Sequence, residues 1–353
     1  MFRPADLAMR PATLWRYREA LGVAGPAVTL GEGWTPLVPA SIAGCNVQLK
    51  LDFLCPTGSY KDRGTTVMIS KFVEWGVREL VEDSSGNAGA SVAAYSAAAG
   101  LSASIFIPEG TSAGKAAQIA MYGARLVPVA GSREDCTRAA MAEAARIFYG
   151  SHNWNPYFIA GLKTLAFEIA EQMEWSAPDW VITPLGGGSL LLGLYHGFAE
   201  MIRAGILAGM LPGSVARMPR LAAVQAEHCA PVYEAWKAGL ADTPGVDKGA
   251  TRGSTIAEGI SIAKPVKGRD ILEAIRGSNG VVVPVGDAAI WRAVEELGSR
   301  GAYVEPTGAV AAAALVDLVA SGVVQPGERV VLVLTGSGLK ATDRIAEHLR
   351  ERG

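Results

Sequence analysis

The sequence predicts an α/β fold with two domains, each built around a mostly parallel sheet. Its 353 residues exceed the ~150 residues expected of a single domain. Half of the residues are hydrophobic, which is enough to fill two sizeable cores. Short apolar runs alternate along the chain with segments that favour helix, and this alternation is typical of βαβ units.

The first elements lie on either side of a glycine-rich turn. Residues 11–25 predict a short amphipathic helix that leads into the turn at residues 31–33. Val47–Leu51 predicts a strand, and the apolar run Thr65–Phe72 predicts a helix. Lys61 therefore lies shortly before a helix, at the end of a turn of small residues.

The alternation is most regular in the middle of the chain. A polar loop is followed by an alanine-rich segment with high helix propensity, and strands and helices then alternate: helix Ala88–Ala99, strand Ser104–Ile107, helix Ser112–Tyr122, strand Leu126–Val129 and helix Arg133–Phe148. We expect residues 83–158 to form a smaller α/β domain. It would be inserted between residues 1–82 and residues 159–353, which would together form a larger domain.

The rest of the chain repeats the alternation of strands and helices. The predicted elements are helix Thr164–Met173, strand Trp180–Thr183, helix Ser189–Arg203, strands Leu221–Gln225 and Val281–Val285, helices Ala288–Arg300 and Gly308–Ala320, and strand Arg329–Leu334. Residues 239–254 are rich in Gly, Pro and Asp and predict an exposed loop.

Composition argues against several classes of partner. A net charge of −2 gives no electrostatic reason to bind nucleic acid or an anionic membrane, so a small molecule is the expected partner. No apolar run reaches the ~18 residues of a membrane-spanning helix, and we expect a cytoplasmic protein. Cysteines occur at four scattered positions, which indicates neither a disulfide framework nor a metal site: Cys45, Cys55, Cys136 and Cys229.

Lys61 is the first candidate for chemistry. A lysine amine forms a Schiff base with a carbonyl only when it is uncharged, and partial burial favours that form. A single lysine in a loop is more often a solvated surface residue. The functional interpretation of Lys61 therefore depends on motifs elsewhere in the chain.

A run of glycines is the second candidate. Gly186, Gly187 and Gly188 follow a predicted strand, and Ser189 begins a predicted helix. Backbone N–H groups in such a turn converge on one space, and the positive end of the helix favours an anion there, so the run predicts a phosphate-binding turn. A tight strand-to-helix turn without a ligand is the alternative. A dinucleotide-binding motif does not fit, because Leu191 stands where that motif needs glycine.

The chain resembles the fold-type II family of pyridoxal-phosphate (PLP) enzymes and, within it, the threonine synthases. The matching segments follow the family's order along the chain: Leu30–Leu37 (LGEGWTPL), Ser59–Gly64 (SYKDRG), Ser84–Gly89 (SSGNAG), Gly186–Ser189 (GGGS), Glu305–Ala309 (EPTGA) and Thr335–Lys340 (TGSGLK). The resemblance implies two three-layer α/β domains, with the cofactor, pyridoxal 5'-phosphate, in the cleft between them. It also implies a homodimer.

Roles of individual residues follow from this resemblance. Lys61 would form the Schiff base with the cofactor and shuttle protons. The remaining cofactor contacts would come from Asn87 at the 3'-oxygen, Gly186, Gly187, Gly188, Ser189 and Leu190 at the phosphate, and Thr335 beside the pyridine nitrogen, with Ser337 as a second candidate for that place. A neutral hydroxyl cannot hold a proton on the ring nitrogen, so elimination and replacement are favoured over transamination.

The resemblance also implies a substrate site. The substrate carboxylate would bind the backbone of a loop made of Ser84, Ser85, Gly86, Asn87 and Ala88, which as a structural alternative is a helix-capping turn. Enzymes that act on O-phosphohomoserine usually carry a hydroxyl residue where Ala88 stands and an arginine where Phe158 stands. Loss of these contacts removes charge-assisted hydrogen bonds worth about 1.5–3 kcal/mol each. Candidates to replace them are Asn153, Lys115, Lys163 and Arg252.

The sequence therefore predicts a PLP-dependent lyase acting on a small L-α-amino acid. The resemblance favours conversion of O-phosphohomoserine to threonine by β,γ-elimination and replacement. Residues 255–260 also resemble a segment of threonine and serine dehydratases, so a β-eliminating dehydratase or ammonia-lyase is the alternative. A non-catalytic metabolite-binding homologue is a more remote possibility, because Lys61, Asn87 and Thr335 are all present.

Overall fold

The computed structural model describes residues 1–111, 113–207, 216–244 and 254–352. They group into two compact units. The first contains residues 1–34 and 55–164, and the second contains residues 35–54 and 165–353.

Strands and helices alternate along most of the chain. The strands are β1 (Leu37–Ile42), β2 (Cys45–Lys50), β3 (Glu79–Glu82), β4 (Ser102–Pro108), β5 (Arg125–Val129), β6 (Phe148–Tyr149), β7 (Trp180–Pro184), β8 (Arg220–Ala226), β9 (Val281–Val285) and β10 (Val330–Val333). The α-helices are α1 (Lys61–Glu74), α2 (Asn87–Ala98), α3 (Ala113–Met121), α4 (Arg133–Glu143), α5 (Pro156–Gln172), α6 (Ser189–Arg203), α7 (Pro231–Lys237), α8 (Gly268–Gly277), α9 (Asp287–Gly298), α10 (Pro306–Ala320) and α11 (Thr342–Arg352).

The first unit contains a four-stranded sheet in the order β5-β4-β3-β6, and its neighbouring strands are all parallel. Helix α1 packs against helix α2, which also contacts β4. This packing explains why residues 55–82 group with the four-stranded sheet in the structure. The predicted division into residues 83–158 and the remainder stays a prediction.

One predicted helix in the first unit is wrong at its end. A helix was expected over Arg133–Phe148, but α4 ends at Glu143 and the chain continues to strand β6. The two residues of β6 pair with Leu80 and Val81 of β3. The ring of Phe148 also lies 4.6 Å from the ring of Phe72 on α1. Pairing and aromatic packing with distant residues thus override the local preference of the alanine-rich segment for helix.

The second unit contains a six-stranded sheet in the order β1-β2-β10-β7-β8-β9. Only the β1–β2 pair of this sheet is antiparallel. All residues of β7 and β10 are buried, as expected of central parallel strands. Residues 311–314 of α10 are all alanine and are buried, and these small side chains let the helix pack closely against α9 and β7.

These findings confirm the predicted α/β class with mostly parallel sheets. Strand β9 and helix α6 occupy the residues predicted for them. The predicted loop at residues 239–254 falls largely outside the described residues. In the described parts of the chain, no helix combines the length and apolar character needed to cross a lipid bilayer.

Candidate active site

Lys61 is the first residue of helix α1 and is half-buried. Its amine lies 4.7 Å from the centre of the Tyr60 ring and 5.6 Å from the centre of the Phe158 ring. Among the described residues, no carboxylate or carbonyl binds this amine, and its contacts are the two aromatic rings. The amine is therefore held in place by apolar surfaces and is available to a carbonyl ligand.

The next residue, Asp62, fixes the position of Lys61. Its buried carboxylate accepts hydrogen bonds from the backbone N–H of Thr57 at 2.7 Å and from the Thr57 hydroxyl at 2.6 Å. It also accepts one from the hydroxyl of Ser91 on α2 at 2.6 Å. These bonds join the small-residue turn, the start of α1 and helix α2, so Lys61 and the loop before α2 are parts of one network.

The loop of residues 84–86 connects β3 to α2. Gly86 is the N-cap of α2, and no side chain caps the helix. The chain folds back so closely that a Cβ on Gly89 would lie 1.8 Å from the carbonyl oxygen of Ser84, a contact that only glycine permits. Backbone N–H groups at an uncapped helix N-terminus suit a carboxylate ligand. The geometry supports the predicted substrate loop, whose assignment stays a prediction.

Asp83 holds the base of this loop in place. Its carboxylate accepts a hydrogen bond from the hydroxyl of Tyr149 at 2.9 Å and another from the hydroxyl of Thr137. Burial, followed by the negative charge of Asp83, raises the pKa of Tyr149, which keeps the phenol protonated as a donor. The loop is thus attached to both β6 and α4.

A buried histidine and glutamate lie next to the loop. Glu82 ends β3, and His152 follows β6, so both lie at the carboxyl ends of neighbouring parallel strands. Nδ1 of His152 is 2.9 Å from Oε1 of Glu82, and the backbone N–H of His152 donates to Oε2 at 3.3 Å. Burial raises the pKa of Glu82, and burial together with the positive charge of Lys61 lowers the pKa of His152.

The pair was missed by the sequence analysis. The two residues are 70 positions apart, and neither belongs to a recognisable motif. The sequence carried no usable signal, because the two-residue strand β6 before His152 is defined only by its pairing with β3, which ends at Glu82. Polar residues at the carboxyl ends of parallel strands are typical of binding sites in α/β folds.

Phe158 is fully buried on α5. It stands at the position where enzymes that act on O-phosphohomoserine are expected to have arginine. A Cβ on Gly64 would lie 2.6 Å from its ring, so the ring packs directly on the backbone of α1. The His152 ring is 5.6 Å from the Phe158 ring. Ala88 is also buried. The places expected to bind phosphate are therefore occupied by apolar side chains.

Of the proposed substitutes for those phosphate ligands, Lys163 makes a contact elsewhere, and the roles of all four stay predictions. The amine of Lys163 donates to the carbonyl oxygen of Ala20 at 3.1 Å, which directs it to the N-terminal segment. The backbone N–H of Asn153 donates to the Ser151 hydroxyl at 3.4 Å. The side chain of Lys115 and all of Arg252 lie outside the described residues.

The Leu30–Leu37 motif contributes a structural residue to the first unit. The buried carboxylate of Glu32 accepts hydrogen bonds from the Tyr95 hydroxyl at 2.6 Å and from the indole N–H of Trp15 at 3.0 Å. Burial and the nearby negative charges raise the pKa of Tyr95, so its hydroxyl remains a donor. Glu32 therefore fastens the N-terminal segment to helix α2.

In the second unit, the glycine run connects β7 to α6. Gly188 is the N-cap of α6, has a φ of 85° and has no side-chain cap above it. A Cβ on Gly186 would lie 2.9 Å from the carbonyl oxygen of Gly259, so a side chain does not fit there. Ser189 and Leu190 follow as buried residues of α6. This open helix N-terminus, lined by backbone, fits a phosphate group.

Thr335 follows β10 and is buried. Among the described residues its hydroxyl has no hydrogen-bond partner. The hydroxyl of Ser337, by contrast, accepts the backbone N–H of Leu339 at 3.3 Å. A buried hydroxyl without a partner is costly and suggests a ligand that supplies one. This observation favours Thr335 over Ser337 as the group beside a cofactor nitrogen, and its role stays a prediction.

Several motifs of the second unit are in direct contact. Gly186 packs on Gly259, whose backbone N–H donates to the hydroxyl of Thr307 at 3.1 Å. A Cβ on Gly308 would lie 3.4 Å from the backbone nitrogen of Thr335. The structure thus brings the glycine run, the dehydratase-like segment and the motifs at 305–309 and 335–340 together at one place in this unit.

The comparisons with known proteins agree with this arrangement. The family model described as "Pyridoxal-phosphate dependent enzyme" matches residues 28–336. The threonine synthase of Methanocaldococcus jannaschii is 35% identical over 96% of this chain and 83% of its own. The threonine synthase of Mycobacterium tuberculosis is 33% identical over 94% of this chain and 89% of its own.

Solved structures show the same fold. An L-serine ammonia-lyase from Rhizomucor miehei superposes with a TM-score of 0.76, at 22% identity, over 91% of this chain and 99% of its own. Maize serine racemase superposes with a TM-score of 0.72, at 21% identity, over 96% of this chain and 100% of its own. Together, the matched family model and the relatives that match over most of their length show that this chain belongs to the fold-type II pyridoxal-phosphate dependent enzymes.

Proposed function

We propose that this chain is a PLP-dependent lyase of the threonine synthase type, which converts O-phosphohomoserine to threonine by elimination and replacement. The observation that carries the chemistry is the Lys61 amine, which is fixed by its neighbours and, in the part of the chain that the structure describes, is not bound to a carboxylate. The threonine synthases, at 33–35% identity over nearly the whole chain, support the choice of reaction.

Each unit, taken by itself, supplies residues with a distinct task. In the first unit, Lys61 would hold the cofactor covalently and move the proton of the substrate Cα, while the N-terminus of α2 would bind the substrate carboxylate. Asn87, the first residue of α2, would hydrogen-bond the cofactor's 3'-oxygen. In the second unit, residues 186–190 would hold the cofactor phosphate, and the Thr335 hydroxyl would bind the ring nitrogen.

The bound cofactor supplies the electron-withdrawing ring that makes loss of the Cα proton feasible. The side chain of Thr335 sets how strong this withdrawal is. A hydroxyl is neutral and does not keep the ring nitrogen protonated, as a carboxylate would. This choice of residue suits elimination and replacement better than amino-group transfer.

A serine or threonine dehydratase is the second candidate, and one observation favours it. Phe158 and Ala88 are buried and uncharged, where phosphate ligands were expected. A dianionic phosphate beside apolar groups loses charge-assisted hydrogen bonds, whereas a substrate hydroxyl does not need them. The L-serine ammonia-lyase among the solved structures shares the fold with this chain.

One experiment tests the cofactor attachment. Purified protein should have the visible absorbance of a protonated PLP imine, and borohydride reduction followed by peptide mapping should find the cofactor on Lys61. Lys61→Ala should lose this covalent form, and Lys237→Ala, at a lysine stacked on Tyr233 in the second unit, should keep it. Reduced cofactor on a different lysine would refute the assignment.

A second experiment separates the two reactions. The protein is incubated with O-phosphohomoserine, L-threonine or L-serine, and phosphate, 2-oxo acid and ammonia are measured. A threonine synthase releases phosphate and forms threonine. A dehydratase forms 2-oxo acid and ammonia from the hydroxy amino acids. No product from any of the three would exclude both candidates.

A further inference from the structure

The proposed reaction, with the residues named above, does not use the buried pair of Glu82 and His152. Both side chains are at least nine-tenths buried, with 0% of Glu82 and 5% of His152 exposed. Such a pair is costly to desolvate unless its hydrogen bonds are satisfied. Both oxygens of the Glu82 carboxyl group contact His152: Oε1 contacts the ring and Oε2 accepts the backbone N–H. These two contacts hold the ring in a single orientation.

The His152 ring and the Lys61 amine share a neighbour, the ring of Phe158. The Phe158 ring is 5.6 Å from the Lys61 amine and 5.6 Å from the His152 ring, so one aromatic side chain contacts both. The Glu82 backbone leads directly into the predicted substrate loop. Glu82 binds the ring of His152 through Nδ1, and Nε2 on the opposite side has no hydrogen-bond partner among the described residues.

We infer that Nε2 of His152, with Glu82 behind it, is the group that moves the proton on the oxygen at the substrate's Cβ. The inference rests on the proposed function, because both candidate reactions pass through that oxygen. A dehydratase must protonate the hydroxyl that leaves Cβ. A threonine synthase must take a proton from the water that adds at Cβ. This is the same transfer in reverse: it starts from the pair with one negative charge, in which Nε2 carries no hydrogen, and as Nε2 takes the proton of water the Nδ1 proton returns to Glu82.

The hydrogen-bond geometry defines the starting state. Burial favours the protonated carboxyl of Glu82 and the uncharged imidazole of His152. Oε1–H then donates to Nδ1, while Oε2 accepts the backbone N–H, which matches the two contacts observed. In this state Nε2 carries its hydrogen and is a donor.

The proton transfer balances in the direction of elimination. The Lys61 amine takes the proton from Cα, and the Cβ–O bond breaks with its electron pair remaining on oxygen. The Nε2–H proton moves to this oxygen and water is released, while the Oε1 proton moves to Nδ1. The pair thereby becomes negative by one charge as Lys61 becomes positive by one. Exchange with water restores both groups.

The other charges around His152 fit this proton transfer. Lys61 and Arg133 act on the ring with positive charge and Asp83 with negative charge. The positive groups oppose a cationic imidazole, and they stabilise the negative pair left after it has given up a proton. His152 is therefore suited to act as a neutral donor on a hydroxyl.

The test compares leaving groups that differ in their need for a proton. Loss of hydroxide from L-serine needs an acid, and loss of chloride from β-chloro-L-alanine does not. His152→Gln should lower kcat for L-serine by roughly 100-fold or more, as expected for a lost general acid. It should leave kcat for β-chloro-L-alanine nearly unchanged. Glu82→Gln should show the same selectivity with a smaller loss, because glutamine holds the ring but passes on no proton.

If the wild type turns over O-phosphohomoserine instead, the readout is the ratio of threonine to phosphate. His152→Gln should still release phosphate, because that step precedes the addition of water, but its yield of threonine per phosphate should fall. The matched control is His348→Gln, at a histidine of α11 that is stacked on Trp291 in the second unit. This variant should leave each readout unchanged.

Several results would overturn the inference. Equal losses for L-serine and β-chloro-L-alanine would show that His152 is only structural, and no loss for either would show that it is idle. An unchanged ratio of threonine to phosphate would have the same meaning. A wild type that acts on none of these substrates would remove the proposed function and, with it, this inference.

Discussion

The hydroxyl of Thr335 is buried without a partner among the described residues, which makes it a sensitive reporter of the cofactor. We expect Thr335→Val, which keeps the shape, to leave the cofactor-free protein as stable as the wild type or more so, because an unpaired polar group is removed. Cofactor affinity should fall by about 0.5–1.5 kcal/mol, the value of one hydrogen bond. Calorimetric titration of the apoprotein with pyridoxal phosphate measures this change.

Thr183 provides the matched control for this prediction. Its hydroxyl is also buried without a partner among the described residues, and it lies on the neighbouring strand β7. Thr183→Val should change stability in the same direction and leave cofactor affinity intact. Equal losses of affinity in both variants would contradict a specific role for Thr335.

The titration of Glu82 predicts how stability depends on pH. Because burial raises the pKa of Glu82 well above its ordinary value of 4.5, the folded state retains a proton that the unfolded state releases. Stability contributed by the protonated carboxyl is therefore lost as pH rises from 4.5 toward the raised pKa. Glu82→Gln has no such loss, so its free energy of unfolding should rise relative to the wild type by up to about 1.4 kcal/mol per pH unit.

Urea unfolding of both proteins across this pH range checks the prediction. The pKa of His152 is lowered by folding. The folded protein therefore loses stability through this group only as pH falls below 6.5, the ordinary pKa of histidine. Above that pH the imidazole is neutral in both states, and the difference between the two proteins reports Glu82 alone. A difference that shrinks with rising pH would show that Glu82 is ionised in the folded protein.

At the scale of single residues, the sequence was informative where one motif contains the whole feature. Lys61 and the glycines at 186–188 could be proposed from the sequence because the signals that point to them lie in immediate neighbours in the chain, and their roles stay predictions. The pair of Glu82 and His152 was not found, because the feature exists only after β3 and β6 pair. Nor could the sequence show that Lys163 is bound to a backbone carbonyl.

At the scale of elements, the substitution of one glycine by alanine tests whether the close backbone contact in the turn before α2 is required. Gly89→Ala would place a Cβ 1.8 Å from the Ser84 carbonyl oxygen, so the predicted substrate loop must move. We expect a loss of stability of about 1–3 kcal/mol, as for other overpacked sites, and a higher KM for the amino-acid substrate. Thermal unfolding and steady-state kinetics measure the two effects.

Gly114→Ala is the matched control for this prediction. Gly114 is the second residue of α3. Among the described residues, apart from its chain neighbours and the helix's own backbone, no atom lies within 4 Å of a Cβ placed there. The same substitution should therefore stabilise the protein by about 0.5–1 kcal/mol through helix propensity. Similar effects of the two substitutions would show that the close contact at Ser84 does not constrain the loop.

The elements predicted best were those with strong local signals. The buried strand β7, the apolar strand β9 and the amphipathic helix α6 appeared at the expected residues or within one of them. Strand β6 was missed, since a two-residue strand is defined by its partner rather than by its own pattern. An alanine-rich segment next to it extended the predicted helix too far, because helix propensity contains no information about tertiary pairing.

At the scale of the whole molecule, similarity to threonine synthases does not establish whether the substrate carries a phosphate, and position 158 offers a test. Phe158→Arg would restore the expected arginine at a fully buried position on the backbone of α1. A buried guanidinium without a partner should destabilise the protein by about 3–5 kcal/mol. If phosphate binds there, added inorganic phosphate should recover much of this loss in the variant and have little effect on the wild type.

Thermal unfolding with and without phosphate checks this prediction, and Phe158→Leu is the uncharged control. Leucine removes the ring without introducing a charge, so its stability should not respond to phosphate. If the thermal stability of Phe158→Arg also does not change with added phosphate, position 158 does not contact bound phosphate. The phosphate of O-phosphohomoserine would then be bound elsewhere, if this substrate is used at all.

The strand order of the second unit has a consequence for synthesis on the ribosome. Strand β10 lies in the middle of its sheet, between β2 and β7, although it is the last strand of that sheet to emerge. Until residues 330–333 are available, the β1–β2 hairpin and the β7–β8–β9 sheet each present an open edge. Nascent chains that pause just before this strand therefore expose two mutually compatible edges, and this is the interval in which a chaperone would be most needed.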